Sequence, residues 1–249
     1  MKGPEPERRS GAPESLRLRH LGSSGLRIAW GERGDGSCVV DIDPPEVASG
    51  RAIITWSETE RVAGARPGML AAAPVLSWLG MEGIALDTAA PGVGYAGFDV
   101  SAIAFTPIPW ATPTEAVRKG LIGLRSPGLA VRRLSRTLRR PADPPLALLL
   151  SRGGFRIALL GQALHRFQKA SEIERLVRFF GGADVLVAGT DFDDEAATAA
   201  LMERFGAGEL VLADLIGPVR RALGLPTRPL DAHAHPRARL LREGGEVEW

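Results

Sequence analysis

The sequence predicts layered β-sheets with helices outside them, in the α/β or α+β class. Three observations carry this. The first half holds short strand-like runs separated by Gly-rich turns. In the second half strands alternate with helical patterns. At 249 residues and 45% hydrophobic, the chain can bury a sizeable core, in one large domain or two small ones.

Taken in order, "LRLRHL" (16–21) alternates apolar and polar residues. "GLRIAW" (25–30) follows after "GSS", and "SCVVDI" (37–42) after "ERGDG", which reads as a meander. "RAIIT" (51–55) is the next strand, and "PGMLAAAPVLSWLG" (67–80) reads as a helix interrupted at Pro74. "GIALD" (83–87) and "FDVSAIAF" (98–105) are further strands. "LALLLS" (146–151) and "FRIALL" (155–160) flank two glycines and read as a hairpin. "SEIERLVRFFGG" is a helix with Ser171 and Glu174 in a capping-box pattern and Gly181 after its last apolar pair. Strand "DVLVA" (184–188), helix "DDEAATAALMERFG" (193–206) and strand "ELVLA" (209–213) follow, then a helix opened by Pro218. The closing "RLLREGGEVEW" reads as a last hairpin. No internal repeat of fixed short period is present.

Composition narrows the function classes. A net charge of +2 does not by itself argue for nucleic acid. Cys38 is the one cysteine, so no disulfide framework exists within the chain, and its apolar surroundings read as those of a small buried hydrophobe. The first residues contain no apolar signal region, and no apolar run reaches the roughly 18 residues of a membrane span. The expected location is the cytoplasm. Residues 1–14, rich in Pro, Gly, Glu and Arg, are expected to form a mobile tail.

The order of these motifs resembles the metallo-β-lactamase fold superfamily, within it the branch of L-ascorbate-6-phosphate-lactonase-like proteins. The resemblance runs from about Leu16 to Trp249. "LRHLGSSGLRIAW" through "VVDIDPP" is similar to the family's opening meander, with Asp43 and Pro44 at the usual strand end. "AIITWSETERVAGA" sits where the family carries Thr-His-x-His-x-Asp-His. "GGFRIALLGQALHRF" resembles the second-half hairpin, and "GADVLVAG" through "ELVLAD" the strand–helix–strand leading to the last metal histidine. The resemblance implies an αββα sandwich of two mixed β-sheets flanked by helices. It also implies one domain over 15–249 and a basic helical insertion at about 112–141.

Family members bind one or two zinc-like ions at these loop ends, and the metal lowers the pKa of an attacking water. Carried over residue by residue, the ligands are missing here. Thr55 is kept, but Trp56 and Glu58 stand where the first two histidines would be, Glu60 replaces the aspartate and Arg61 the next histidine. Trp110 aligns with another histidine, Gln162 replaces the bridging aspartate, and Asp214 replaces the last histidine. An indole N–H has no lone pair to give a metal, and arginine is a permanent cation that repels one. The remaining Glu58, Glu60 and Asp214 are hard oxygen donors, better matched to magnesium or calcium than to zinc. The expectation is therefore no metal and no cofactor. Trp56 and Trp110 would fill the vacated cavity, with Arg61 paired to Glu58 or Glu60.

Other candidates are weaker. His233 and His235 form a His-x-His pair without an evident third ligand. His165 lies near the vacated pocket and would serve as a general base only if unpaired. Ser23 and Ser24 sit in a Gly-flanked turn, with His20 on the preceding strand. "GLIGLRSPG" lacks phosphate-loop spacing. The compositional anomaly is 115–140, where Arg132, Arg133, Arg136, Arg139 and Arg140 flank Val131, Leu134 and Leu138 at helical spacing. Such a helix binds an anionic ligand, an acidic protein or a membrane surface, or is a solvated face whose stems cover the core. The sequence thus points to a metallo-β-lactamase-like domain that has lost its metal site, acting as a non-catalytic binding or scaffold protein. The alternative is a divergent hydrolase of phosphorylated or ester substrates using residual carboxylates or an atypical metal site.

Overall fold

The computed structural model describes residues 15–21, 25–31, 36–41, 51–55, 68–80, 82–89, 92–105, 144–160, 170–189, 203–214 and 238–249. The predicted tail (1–14), the basic insertion (112–141) and the helix opened by Pro218 lie outside these residues.

The first sheet contains β1 (Leu16–His20), β2 (Leu26–Trp30), β3 (Gly36–Val40), β4 (Ala52–Ile54), β5 (Met69–Ala71) and β6 (Gly83–Ala85) in chain order, with β14 (Glu246–Glu248) added beside β1. The second contains β7 (Val93–Tyr95), β8 (Phe98–Ala104), β9 (Leu146–Arg152), β10 (Phe155–Leu159), β11 (Val185–Gly189), β12 (Glu209–Ala213) and β13 (Ala238–Leu241), again in chain order. Each sheet is mixed. β14-β1-β2-β3 is antiparallel and β3 to β6 parallel. β7 to β10 is antiparallel and β10 to β13 parallel.

Side-chain parity decides which faces are covered. Leu16, Leu18, Ile28 and Ile53 of the first sheet pack against Leu148, Leu150, Val185, Val187 and Val211 of the second, forming the core between the sheets. Helix α1 (Ala73–Leu79) covers the outer face of β4 and β5, with Val75 and Leu76 against Ile54 and Met69. Helix α2 (Ala170–Phe180) covers the outer face of the second sheet, with Leu176 and Phe180 against Leu149, Leu186 and Leu210. Apolar runs such as "LALLL" and "VLVA" follow from this, because strands buried on both faces have no polar side to present. β1 and β2 keep alternation: Arg17, Arg19 and Arg27 face away from the core.

Several expectations are corrected. Residues 67–80 are not one helix. Met69–Ala71 pairs between β4 and β6, and Pro74 lies in the first turn of α1, where its missing N–H costs nothing. Ser171 lies within α2 rather than capping it. β7 was not expected; its turn to β8 uses Ala96 at φ 54 and Gly97 at φ 83, and Ala-Gly is a weak hairpin signal. The Gly153–Gly154 turn has both φ positive, as the sequence predicts. Of the helix expected at 193–206, residues 203–205 are described and helical, ending at Gly206 with φ 63.

The closing segment is not a hairpin. β13 pairs in parallel with β12, while β14 pairs with β1 in the other sheet. Gly244 N–H donates to the His20 carbonyl (3.0 Å) and His20 N–H to the Gly245 carbonyl (3.0 Å), so the two-glycine turn is claimed by β1. Trp249 Nε1 donates to Glu209, which also pairs with Arg239, tying the end of the chain to β12 and β13.

Candidate functional site

β3, β4, β8, β10, β11 and β12 all end at one rim of the sandwich. The two sheets meet there through a bond from Leu146 N–H at the start of β9 to the carbonyl of Thr55 after β4 (2.9 Å). Positions 56–61, 110 and 162 follow from strands ending at this rim, and Asp214 stands on it. Trp56, Glu58, Glu60, Arg61, Trp110 and Gln162 themselves lie outside the described residues, as do Ser23, Ser24, His165, His233, His235, Arg132, Arg133, Arg136, Arg139 and Arg140.

The described part of the rim is buried and bonded. β3 ends at Val40, not at 42, and Asp41 takes a left-handed φ of 59. The described acid at this strand end is therefore Asp41; Asp43 lies outside the described residues. One Asp41 carboxylate oxygen accepts from Thr55 N–H (2.7 Å) and the other from the Thr55 hydroxyl. Asp41 N–H donates to the Ile53 carbonyl (2.9 Å). The carboxylate thus fixes the residue from which 56–67 departs, and both groups are buried. Sequence reasoning missed this role, although an acid directly after an apolar strand and opposite a threonine was its available signal.

Asp214 is buried after β12, its N–H donating to the Leu241 carbonyl (3.0 Å). His20, fully buried at the end of β1, bonds through Nε2 to the Asp214 carbonyl (2.8 Å). A carbonyl only accepts, so this bond places the proton on Nε2. The imidazole therefore links the end of β1 in one sheet to the end of β12 in the other.

The opposite end of the sandwich is built differently. Cys38 and Tyr95 lie toward it, and burial pushes the Cys38 thiol up to about 12, with nearby Arg51 opposing the shift. Burial also pushes the Tyr95 phenol up to about 12. Its hydroxyl lies 2.7 Å from the Gly68 carbonyl and 3.0 Å from that of Ala52, bridging β4 and β5.

Among the described residues, two mixed seven-stranded sheets pack face to face with a helix on each outer face, the αββα sandwich of the metallo-β-lactamase fold. The chain is similar to the metallo-β-lactamase fold protein YhfI from Bacillus subtilis, with a TM-score of 0.54 at 14% identity over 94% of this chain and 99% of that one. It is also similar to CmlA, a diiron β-hydroxylase from Streptomyces venezuelae, with a TM-score of 0.52 at 10% identity over 96% of this chain and 54% of that one. No family model and no curated protein matches the sequence.

The described polar groups of the rim are bonded to their neighbours. Among the described residues no three His, Cys, Asp or Glu side chains group to hold an ion. Asp41 has a Thr55 donor on each oxygen, and His20 directs its Nε2 proton to a backbone carbonyl. Among the described residues no helix is long and apolar enough to cross a membrane.

Proposed function

We propose that this protein is a non-catalytic binding or scaffold protein on a metallo-β-lactamase frame, working in the cytoplasm without a catalytic metal. The observation that carries the reading is the donor set of the rim. Trp56, Arg61 and Trp110 supply no lone pair, and Asp41 and His20 are engaged in holding the loop roots. On this reading Trp56 and Trp110 would fill the space that metal and water use in the family, and Arg61 would neutralise Glu58 or Glu60. The resemblance to lactonase-like proteins supplies the competing reading, a divergent hydrolase of phosphorylated or ester substrates.

Metal analysis of purified protein tests the absence of a catalytic zinc. Far less than one equivalent of zinc is expected, with a melting temperature unchanged by chelator. Stoichiometric zinc that survives dialysis would overturn the reading.

The scaffold's partner is an anionic surface met by Arg132, Arg133, Arg136, Arg139 and Arg140. Binding to anionic vesicles or polyanions should fall as salt screens it, and should vanish in the Arg132→Gln/Arg136→Gln/Arg139→Gln variant. A wild-type protein that binds neither at low salt would remove this partner.

A further inference from the structure

The end of the sandwich opposite the loop-bearing rim carries a cavity of about 540 Å³, lined by Arg51, Tyr95, Phe98, Asp99, Ser151 and Arg152 with the turns beside them. The two cations come from different sheets. Arg51 shares strand parity with Ile53, and Arg152 with Leu150, and both of these leucine and isoleucine side chains belong to the core between the sheets. The guanidiniums therefore stand at the mouth of the inter-sheet space. Asp99 alternates with buried Phe98 and Val100 on β8 and is exposed at the cavity's edge.

Arg152 occupies a prepared place. Its guanidinium carbon lies 5.0 Å from the centre of the Trp30 ring. A Cβ on Gly36 would fall 2.6 Å from Arg152 Nη1, and one on Gly97 would fall 2.8 Å from it. Two backbones with no side chain thus make room for this cation. Among the described residues neither Arg51 nor Arg152 has an acidic partner within ion-pair distance. The Tyr95 hydroxyl is taken up by the Ala52 and Gly68 carbonyls, so it does not compete for a ligand.

A planar guanidinium presents paired donors that match carboxylate and phosphate oxygens, and it is more weakly hydrated than an ammonium. Two of them around a cavity within the usual size range of small-molecule sites favour an oxyanion there. We propose that this cavity binds a small organic oxyanion, its carboxylate or phosphate group held between Arg51 and Arg152. The site is independent of the rim reading, since it shares no residue with it.

Calorimetric titration of the full chain at low salt with malonate and, separately, with inorganic phosphate tests the proposal. Saturable binding of at least one of them is expected, and the tighter one identifies the anionic group. Arg51→Gln and Arg152→Gln should each weaken that binding about tenfold or more. The Arg132→Gln/Arg136→Gln/Arg139→Gln variant should bind as the wild type does. Arg152 stacks on Trp30, so its variant could fold poorly; Arg51 is exposed, and its variant then decides. No saturable binding of either anion would overturn the site. So would affinity unchanged in Arg51→Gln, or lost only in the triple variant.

Discussion

The two ends of the sandwich handle their polar groups in opposite ways. At the rim, the Asp41 carboxylate, the Thr55 hydroxyl and the His20 imidazole are buried and bonded to neighbouring strand ends. At the other end, the Arg51 and Arg152 guanidiniums border an open cavity, and glycines at 36 and 97 leave space beside one of them. The first arrangement fixes where loops depart, whereas the second leaves charge available to a visitor. The described polar groups of the rim serve architecture.

The contrast breaks most severely at Asp41. Asp41→Ala removes an acceptor that serves two donors and leaves the Thr55 N–H buried without it. The expected loss is roughly 3–4 kcal/mol, read by urea denaturation. Asp41→Asn keeps a side chain that tolerates the left-handed φ and should cost less. Equal stability of Asp41→Ala and wild type would mean that the rim does not depend on this carboxylate.

A smaller effect is expected at the other end. Gly36→Ala sets a Cβ 2.8 Å from the Ala96 carbonyl oxygen as well as against Arg152. The backbone oxygen cannot swing away, so the cost should be about 1–3 kcal/mol. Thermal unfolding of Gly36→Ala beside Gly36→Ala/Arg152→Gln separates the two clashes. If the double variant recovers full stability, the guanidinium alone sets the limit.

A third probe is alkaline titration, silent near neutral pH. Cys38 and Tyr95 both have pKa values raised in the folded state, from 9.0 and 10.0 to about 12. Folding then favours their neutral forms. This contribution is fully present below pH 9 and is lost as pH rises from about 9 toward 12. Stability should fall across that window by up to roughly 1.4 kcal/mol per pH unit for each proton involved. Cys38→Ala should flatten the lower part of the fall. The native thiol should also resist a disulfide reagent at pH 8, because it is buried and protonated. Rapid modification at that pH would contradict the burial.

Much of the fold was legible locally. "LRLRH" announces a strand with one covered face, and "LALLL", "VLVA" and "ELVLA" announce strands covered on both, because side-chain parity along a strand is a property of consecutive residues. The Gly153–Gly154 turn was equally readable, since only a two-residue turn with positive φ closes that hairpin tightly. Of the candidate site the sequence gives only side-chain chemistry: Trp56, Arg61 and Trp110 carry no donor atom for a metal, and all three lie outside the described residues.

Partnership was decided only by the tertiary structure. "RLLREGGEVEW" carries the local signs of a hairpin, but β12 and β1, distant in sequence, each claim one of its strands. "MLA" suits helix or strand equally, and the gap between β4 and β6 settles it as strand. Asp41 reads as one more strand residue until Thr55 is brought opposite it, 14 positions later in the chain. Arg51 and Arg152 lie 101 positions apart and face one cavity only because two sheets stack with their ends aligned. Periodicity and turn chemistry act over a few residues and are written in the sequence. The neighbour across a sheet or between sheets depends on which distant strands bury the most apolar surface together, and only the folded chain resolves that.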